Sequence, residues 1–174
     1  MNASIDALSP LLALESVSLS IHDAGILHDV CLSVDAGETL GIIGESGSGK
    51  SLTALSILQL LPRGSVLSGK VRFAGQDLNT LDEHALCNLR GGEIGMIFQE
   101  PMTALNPVQT IGAQVSESIR LHRQLDEVQV LRQAAQTLER VGLPNDEFPL
   151  NRYPHELSGG QRQRVVIAIA IACQ

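Results

Sequence analysis

Eight residues in the first third of the chain have the types and the spacing of a phosphate-binding loop. Residues 44–51 read Gly-Glu-Ser-Gly-Ser-Gly-Lys-Ser and fit the pattern G-x-x-x-x-G-K-[ST] in full. Glycines let backbone N–H groups approach phosphate oxygens, the lysine adds a positive charge, and the final serine hydroxyl can bind Mg²⁺. We therefore predict a nucleoside triphosphate site formed by Gly44, Glu45, Ser46, Gly47, Ser48, Gly49, Lys50, Ser51 and Leu52.

The elements that must position this loop are also present in the sequence. Residues 39–43 are a short apolar run with β-branched residues, which predicts a buried strand before the loop. A helix is predicted after it, with apolar residues at helical spacing at Leu52, Leu55, Leu58 and Leu61, and with Pro62 and Gly64 as stop signals. A surface turn that matches the pattern by accident would not explain this strand–loop–helix order. Lys50 is also one of only two lysines in the chain.

A second candidate anion site lies near residue 160. Residues 157–161 read Leu-Ser-Gly-Gly-Gln, and the S-x-x-Q spacing predicts a helix that begins at this point. The eight apolar residues 165–172 predict that this helix is buried on all sides. A plain helix cap does not explain Gly159 and Gly160, which weaken a first helical turn. The glycines are explained if an anion must approach the exposed N–H groups closely.

The rest of the chain predicts an α/β fold with an inserted helical segment. Alternating apolar residues at 17–21 and 30–34 indicate two strands around a turn at 23–25, and residues 71–75 indicate another strand with a turn. A short helix is predicted at 82–89, and a second buried strand at 94–98 leads into Gln99. Helix patterns at 111–119 and 128–141, the second with an Asp126–Gln129 capping box, fall within a helical segment at 103–156.

Composition excludes several classes of protein. The 174 residues carry a net charge of −7, and only four residues are aromatic, so neither a basic surface nor a stacking surface for nucleic acid is expected. No secretory signal and no apolar run of membrane-spanning length is recognisable. The three cysteines, Cys31, Cys87 and Cys173, lack C-x-x-C spacing and are expected to be reduced thiols with small apolar roles.

Taken in order, these features resemble the ATP-binding cassette (ABC) family. The phosphate loop, a strand that ends in Gln99, the helical segment and the full Leu-Ser-Gly-Gly-Gln signature motif at 157–161 carry the resemblance, which extends from about residue 12 to residue 174. The segments 44–55, 98–107 and 153–156 resemble more closely the ATP-binding subunits of oligopeptide, dipeptide and nickel importers. Peptide and nickel systems share these segments, so both cargoes stay open. The chain also resembles the first half of a fusion of two cassettes.

The resemblance implies a fold, cofactors and partners. It implies a single incomplete nucleotide-binding domain. Residues 1–102 would form an N-terminal antiparallel β subdomain and the RecA-like phosphate-loop core, residues 103–156 a helical subdomain, and residues 157–174 the signature motif with its helix. ATP and Mg²⁺ are the implied cofactors, with Lys50 and Gln99 as catalytic residues and Ser51 and Gln99 as Mg²⁺ ligands. Two cassettes, identical or paralogous, would meet head to tail. In this arrangement the nucleotide bound by the partner would be covered by Ser158, Gly159, Gly160 and Gln161. Membrane-spanning permease subunits and, indirectly, a substrate-binding protein complete the implied assembly at the cytoplasmic face of the membrane.

Two departures from the family pattern qualify these expectations. The family's adenine-stacking aromatic residue is replaced here by Ile21 and His22. The family's next strand, which ends in Asp-Glu and supplies the catalytic base, and its later switch histidine are not among residues 1–174, so this chain alone is expected to hydrolyse ATP poorly. Its uncovered apolar helix at 165–173 is expected to cause aggregation or to need a partner. The alternatives are a soluble non-transport ABC ATPase and a nucleotide-binding fragment without hydrolysis. His155 is expected to be a structural or surface residue, and Arg162 and Arg164 to be solvated or paired rather than arginine fingers. Glu100 is expected to have a coupling or structural role rather than a catalytic one.

Overall fold

The computed structural model describes residues 9–99 and 104–174, which form two compact units that divide after Leu86. The first unit contains the sheet and the phosphate loop, and the second contains three helices and the signature motif. Each unit has its own buried side chains, and each is described below by itself. Glu100 and the proline-containing residues 101–103, on which part of the importer resemblance rests, lie outside the described residues.

A four-stranded antiparallel sheet dominates the first unit. Its strands are β1 (Leu12–Ile21), β2 (Ala24–Val34), β3 (Ser65–Phe73) and β4 (Gln76–Asp77), in the spatial order β2-β1-β3-β4. The strands predicted at 17–21, 30–34 and 71–75 are thus confirmed, and β3 begins six residues earlier than its apolar pattern indicated. Alternation along the strands buries one set of side chains, which includes Leu14, Val17, Leu19, Leu27 and Val71.

The first hairpin turns one residue earlier than the sequence predicts. His22 and Asp23 form the two-residue turn with φ of 48° and 67°, and Ile21 pairs directly with Ala24. Gly25, which suggested the turn, instead lies in β2 opposite Ser20. Two consecutive positive φ angles match the right-handed twist of the flanking strands, and aspartate tolerates this conformation better than most residues. The turn at Ala74–Gly75 between β3 and β4 has the same character and was predicted correctly.

The phosphate loop leads into helix α1 (Lys50–Ile57), which ends before the predicted Leu61. Gln59 adopts a left-handed φ of 54°, and the Leu60 N–H donates to the Leu55 carbonyl at 3.0 Å. This is the hydrogen-bond pattern of a Schellman motif, which usually has glycine at the left-handed position. The helix stop was missed because glutamine occupies that position, three residues ahead of Pro62, the nearest helix-breaking residue in the sequence.

The predicted strand at 39–43 is not a strand in the part of the chain that the structure describes. No described residue pairs with its backbone, and Ile43 is 97% exposed. Residues 40–43 line an open cavity of about 410 Å³, together with Leu27, Val30 and Leu32 of the hairpin. A strand of a parallel sheet forms only when it is hydrogen-bonded to neighbouring strands, so an apolar run without such neighbours remains unpaired.

Three helices build the second unit. They are α3 (Ile111–His122), α4 (Glu127–Arg140) and α5 (Gly159–Ile171), and they follow α2 (Glu83–Leu89), which crosses the boundary between the units. All four were predicted, and the capping boxes at Asp126–Gln129 and Ser158–Gln161 are both formed. The three helices share one core, with buried side chains that include Ile111, Val115, Ile119, Val130, Leu138, Leu143, Val165 and Ala168.

Helix α5 is buried on one side rather than on all sides. Val165, Val166 and Ala168 are buried, whereas Ile167, Ile169, Ala170 and Ile171 are half-buried. The carboxyl end of α5 is held by side chains from the α3–α4 pair, because Arg123 donates to the Cys173 carbonyl and Gln133 donates to the Ala172 carbonyl. Such donors satisfy carbonyl groups that a helix end leaves without partners, and an arginine there also suits the helix dipole.

The predicted strand at 94–98 is likewise not formed among the described residues. A single bridge between Arg90 and Ile94 is its only recorded pairing, and Ile97 and Phe98 are about half exposed, at 46% and 52%. As at 39–43, the apolar pattern is present but the neighbouring strand is not. Among the described residues there is no helix with the length and apolar character needed to cross a membrane.

One buried polar residue fixes the loop that precedes α3. The Gln114 side chain is 8% exposed, accepts from the Asn106 N–H at 2.9 Å, and donates to the Asn106 and Gln109 carbonyls at 3.1 Å each. Asn106 in turn accepts from the Val108 N–H through its side-chain oxygen. The loop is therefore ordered by specific hydrogen bonds, although Val108 at its tip is 79% exposed.

Candidate nucleotide site

At two positions the phosphate loop adopts a backbone conformation that favours glycine. Gly47 and Gly49 have φ of 83° and 89°, in the left-handed region. A Cβ at Gly49 would lie 2.5 Å from Leu27 Cδ2, so the loop also packs tightly on β2 at that point. Space around Gly47 is open, and its glycine is required by conformation alone. The sequence pattern therefore corresponds to a real local geometry.

Lys50 lies folded over the loop rather than extended into solvent. Its Nζ donates to the Gly44 carbonyl at 2.8 Å, to the Glu45 carbonyl at 2.7 Å and to Ser48 Oγ at 3.2 Å. Three acceptors match the three hydrogens of an ammonium group. The positive charge is thereby held at the concave side of the loop, and phosphate oxygens would exchange with neutral carbonyls as its partners.

The start of α1 has backbone N–H groups that are available to bind an anion. Its N-cap is Gly49, so no side chain caps the first turn, whereas α3, α4 and α5 each have a capping side chain. The first N–H groups of a helix lack partners within the helix and carry the positive end of its dipole. Ser51 is exposed on this turn, and its hydroxyl has no partner among the described residues. These groups fit a phosphate with Mg²⁺, which Ser51 would help to hold.

The signature motif in the second unit is a different kind of helix start. Ser158 caps α5 by accepting from the Gln161 N–H at 3.4 Å, and Gln161 Oε1 accepts from the Ser158 N–H at 2.8 Å. Ser158, Gly159 and Gly160 are exposed, and a Cβ at Gly160 would meet nothing within 4 Å. Packing within the described chain therefore gives no reason for a glycine at position 160.

Gln99 is exposed in the second unit and ends the unpaired run at 94–98. The structure thus gathers residues 44–52 in one place and Ser158 to Gln161 in another, each within its own unit. The roles of Gln99 and of these residues in catalysis or in Mg²⁺ binding stay predictions. Among the cysteines, Cys31 and Cys87 are exposed and Cys173 is buried, and all three are free thiols.

Residues expected near an adenine base have defined local contacts. Ile21 is the last residue of β1, and His22 is exposed in the adjoining turn. A Cβ at Gly64 would lie 2.7 Å from His22 Nε2, so the imidazole packs on that glycine. His155 stacks on Tyr153 with ring centroids 5.6 Å apart. The expectation that His155 is a surface residue agrees with its exposure.

Two arginines behind the signature motif are paired with carbonyl groups. Arg162 Nε donates to the Pro154 carbonyl at 2.7 Å and to the Leu157 carbonyl at 3.1 Å, and Arg164 donates to the Gly142 carbonyl. The sequence predicted solvated or paired arginines here, and the pairing is confirmed, although the acceptors were not predicted. No spacing rule predicts a contact between a helix side chain and carbonyls before the helix, so the sequence alone held no signal for it.

Comparisons with known proteins agree with this geometry. The ABC transporter family model matches residues 27–174. A Brucella abortus (strain 2308) protein named "Putative peptide import ATP-binding protein" is 48% identical over 154 residues, which cover 84% of this chain and 46% of that protein. A second protein of the same name and strain is 47% identical over 169 residues, covering 94% and 51%. The chain thus spans about half the length of the curated relatives it matches.

Solved structures give the same result for the fold. The dimeric ATP-binding cassette MJ0796, in a post-hydrolysis state with ADP and Pi, aligns with a TM-score of 0.78 and 29% identity over 93% of this chain and 69% of its own. The cbiO1 protein of Clostridium perfringens, part of the ABC transporter complex cbiONQ, aligns with a TM-score of 0.77 and 25% identity over 95% and 62%. The predicted fold class is confirmed. With a family match over most of its length, a phosphate loop in place and the fold of known cassettes, the chain belongs to the ABC transporter family.

Proposed function

We propose that this chain is part of the ATP-binding subunit of an importer and that it binds ATP through residues 44–52. The observation that carries the proposal is the uncapped start of α1 with Lys50 folded over the loop. Backbone N–H groups would hold the phosphates, Lys50 would neutralise the outer phosphates, and the Ser51 hydroxyl would bind Mg²⁺. Mg²⁺ would supply charge stabilisation for phosphoryl transfer, and the protein would supply positioning.

The signature motif supports a second part of the proposal. Ser158, Gly159, Gly160 and Gln161 would act on a nucleotide held by another cassette, because a helix start attracts the charge of a γ-phosphate. The open space at Gly160 supports an approach from outside the chain. Gln99 would contribute to Mg²⁺ coordination or to placement of the attacking water. ATP-driven pairing of cassettes and hydrolysis are thus activities of the whole protein with its partner.

The names of the relatives support peptides as the cargo. Both Brucella abortus relatives are named as peptide import ATP-binding proteins, at 48% and 47% identity. The proposal includes membrane-spanning permease subunits, a separate substrate-binding protein and a place at the cytoplasmic face of the membrane. Nickel stays an alternative cargo. ATP hydrolysis stimulated by peptide in membranes that contain the whole transporter would support the peptide assignment, and stimulation by nickel alone would contradict it.

The test of the nucleotide site uses the two lysines of the chain. Lys50→Ala should weaken MgATP binding about 10- to 100-fold, since a hydrogen bond to a charged group contributes about 1.5–3 kcal/mol. Lys70→Ala is the matched control, because Lys70 is exposed on β3 and has no recorded side-chain partner among the described residues. Isothermal titration calorimetry of the purified proteins measures both. Equal affinity of the Lys50→Ala variant and the unchanged protein would overturn the assignment of the loop.

A further inference from the structure

The Arg162 side chain links the first turn of α5 to the residues just before Ser158. Residues Pro154–Glu156 form a short 3₁₀ turn, in which the Tyr153 N–H donates to the Glu156 carboxylate at 2.6 Å. Arg162, one turn into α5, reaches back so that its Nε–H is shared between the Pro154 and Leu157 carbonyls. Pro154 and Leu157 are buried, and Leu157 belongs to the hydrophobic core of the second unit.

These contacts lie on either side of the capping residue Ser158 along the chain. Leu157 immediately precedes it, and Arg162 donates its backbone N–H to the Ser158 carbonyl at 2.9 Å. Arg162 thus binds the chain on both sides of Ser158, through its backbone on the helix side and through its guanidinium on the turn side. The direction of the Ser158 hydroxyl, and of the N–H groups of Gly159 and Gly160, depends on how the turn meets the helix.

The positive charge of Arg162 lies near the start of α5, and this position needs an explanation. A cation near the start of a helix opposes the positive end of the helix dipole, so an arginine there is unfavourable for the helix by itself. Hydrogen bonds from the guanidinium to two carbonyls offset that cost. Arg164, two residues further on, is exposed and donates instead to Gly142 at the end of α4, so the two arginines are not equivalent.

We propose that Arg162 is a positioning residue that holds the signature motif ready for the γ-phosphate of a nucleotide on the partner cassette. This role rests on the proposed function, in which the motif acts on that nucleotide. Arg162 touches no reacting atom in this role and acts through Ser158 and the N–H groups beside it. Its loss should therefore lower turnover without changing the affinity of the chain's own phosphate loop.

The structural half of the proposal is tested by amide hydrogen exchange on the full-length protein. In Arg162→Ala, the amides of Leu157 and Gln161 should exchange about tenfold faster, which corresponds to about 1.4 kcal/mol. Arg162→Lys should recover part of the protection, because an ammonium can reach one carbonyl but not bind both in the geometry of a guanidinium. Arg132→Ala is the control, since Arg132 is exposed on α4 without a recorded side-chain partner among the described residues. Unchanged exchange in Arg162→Ala overturns the proposal.

The functional half uses ATP turnover and nucleotide binding of the same full-length variants. Arg162→Ala should lower kcat about tenfold and leave the affinity for MgATP in calorimetry unchanged, and Arg162→Lys should restore part of kcat. A loss of affinity as large as the loss of kcat, or wild-type kcat in Arg162→Ala, overturns the positioning role. Lys50→Ala in the same series separates the two proposals: normal nucleotide binding by that variant refutes the proposed nucleotide site, while the exchange result still tests the contact made by Arg162.

Discussion

Removal of the Gln114 side-chain amide should release the loop before α3 without unfolding the helices. The side chain makes three hydrogen bonds to the backbone of Asn106 and Gln109, at 2.9, 3.1 and 3.1 Å. At about 1 kcal/mol for each bond, their sum is about 3 kcal/mol. Asn106 and Gln109 are exposed, so water replaces part of what is lost. The expected net effect is about 1–2 kcal/mol, a factor of about 5–30 in the local equilibrium.

Gln114→Met is the informative substitution, because methionine has a similar length but neither donates nor accepts strongly. The amide of Asn106, which donates to Gln114 in the unchanged protein, should lose about 5- to 30-fold of its protection against hydrogen exchange. The amide of Ala113, which donates to the Thr110 hydroxyl, serves as an internal reference and should change much less. Gln136→Met is the matched control on the exposed face of α4.

Gln114→Glu tests the reasoning from the opposite direction. A carboxylate can still accept from the Asn106 N–H but would face the Asn106 and Gln109 carbonyls without a hydrogen to share. Protection at Asn106 should therefore fall at least as far as in Gln114→Met near neutral pH. Unchanged protection in both variants, or an equal loss in Gln136→Met, would refute the view that this side chain orders the loop.

Two other predictions concern stability. Leu138 is 1% exposed in the core of the second unit, so Leu138→Ala should lower the free energy of unfolding, measured in urea, by about 2–5 kcal/mol. Leu121 is 74% exposed, so Leu121→Ala should change it by less than about 0.5 kcal/mol. Similar losses in the two variants would mean that the core is assigned wrongly. The hydrogen bond from Arg120 holds the pKa of Glu127 below its usual value, so the small stabilisation by this pair is complete near neutral pH and is lost as the pH falls through the lowered pKa. Arg120→Ala should raise the Glu127 pKa toward its usual value in an NMR titration of the carboxyl group, and an unchanged titration would contradict this.

Features that depend on neighbours in the sequence were predicted well. The capping boxes at Asp126 and Ser158 were found from spacing alone, because the residues that bond each other are three positions apart. The phosphate loop was predicted for the same reason, because its backbone conformation is set by glycines within a run of eight residues. The structure shows the conformation of the loop and the position of Lys50, and the ligand of the loop is a proposal.

Features that depend on distant residues or on unusual backbone angles were predicted poorly. The apolar runs at 39–43 and 94–98 have strand composition, yet a strand also needs a partner, and composition does not supply one. Gln59 ends α1 and His22 begins a turn, both with a positive φ that the sequence pattern assigns to glycine first. The contact of Arg162 with two carbonyls followed from no local rule, because it depends on how a 3₁₀ turn meets a helix.

Helix α5 is fixed at both ends to the same unit, and this has a mechanical consequence. Arg123 and Gln133 hold the last carbonyls of the helix, and Arg162 holds its start. Its 13 residues span about 20 Å at a rise of about 1.5 Å per residue. These hydrogen bonds at its two ends oppose sliding of α5 along its axis and rotation of α5 about that axis. We therefore expect a displacement of the α3–α4 pair to move α5 and Ser158 with it as one body.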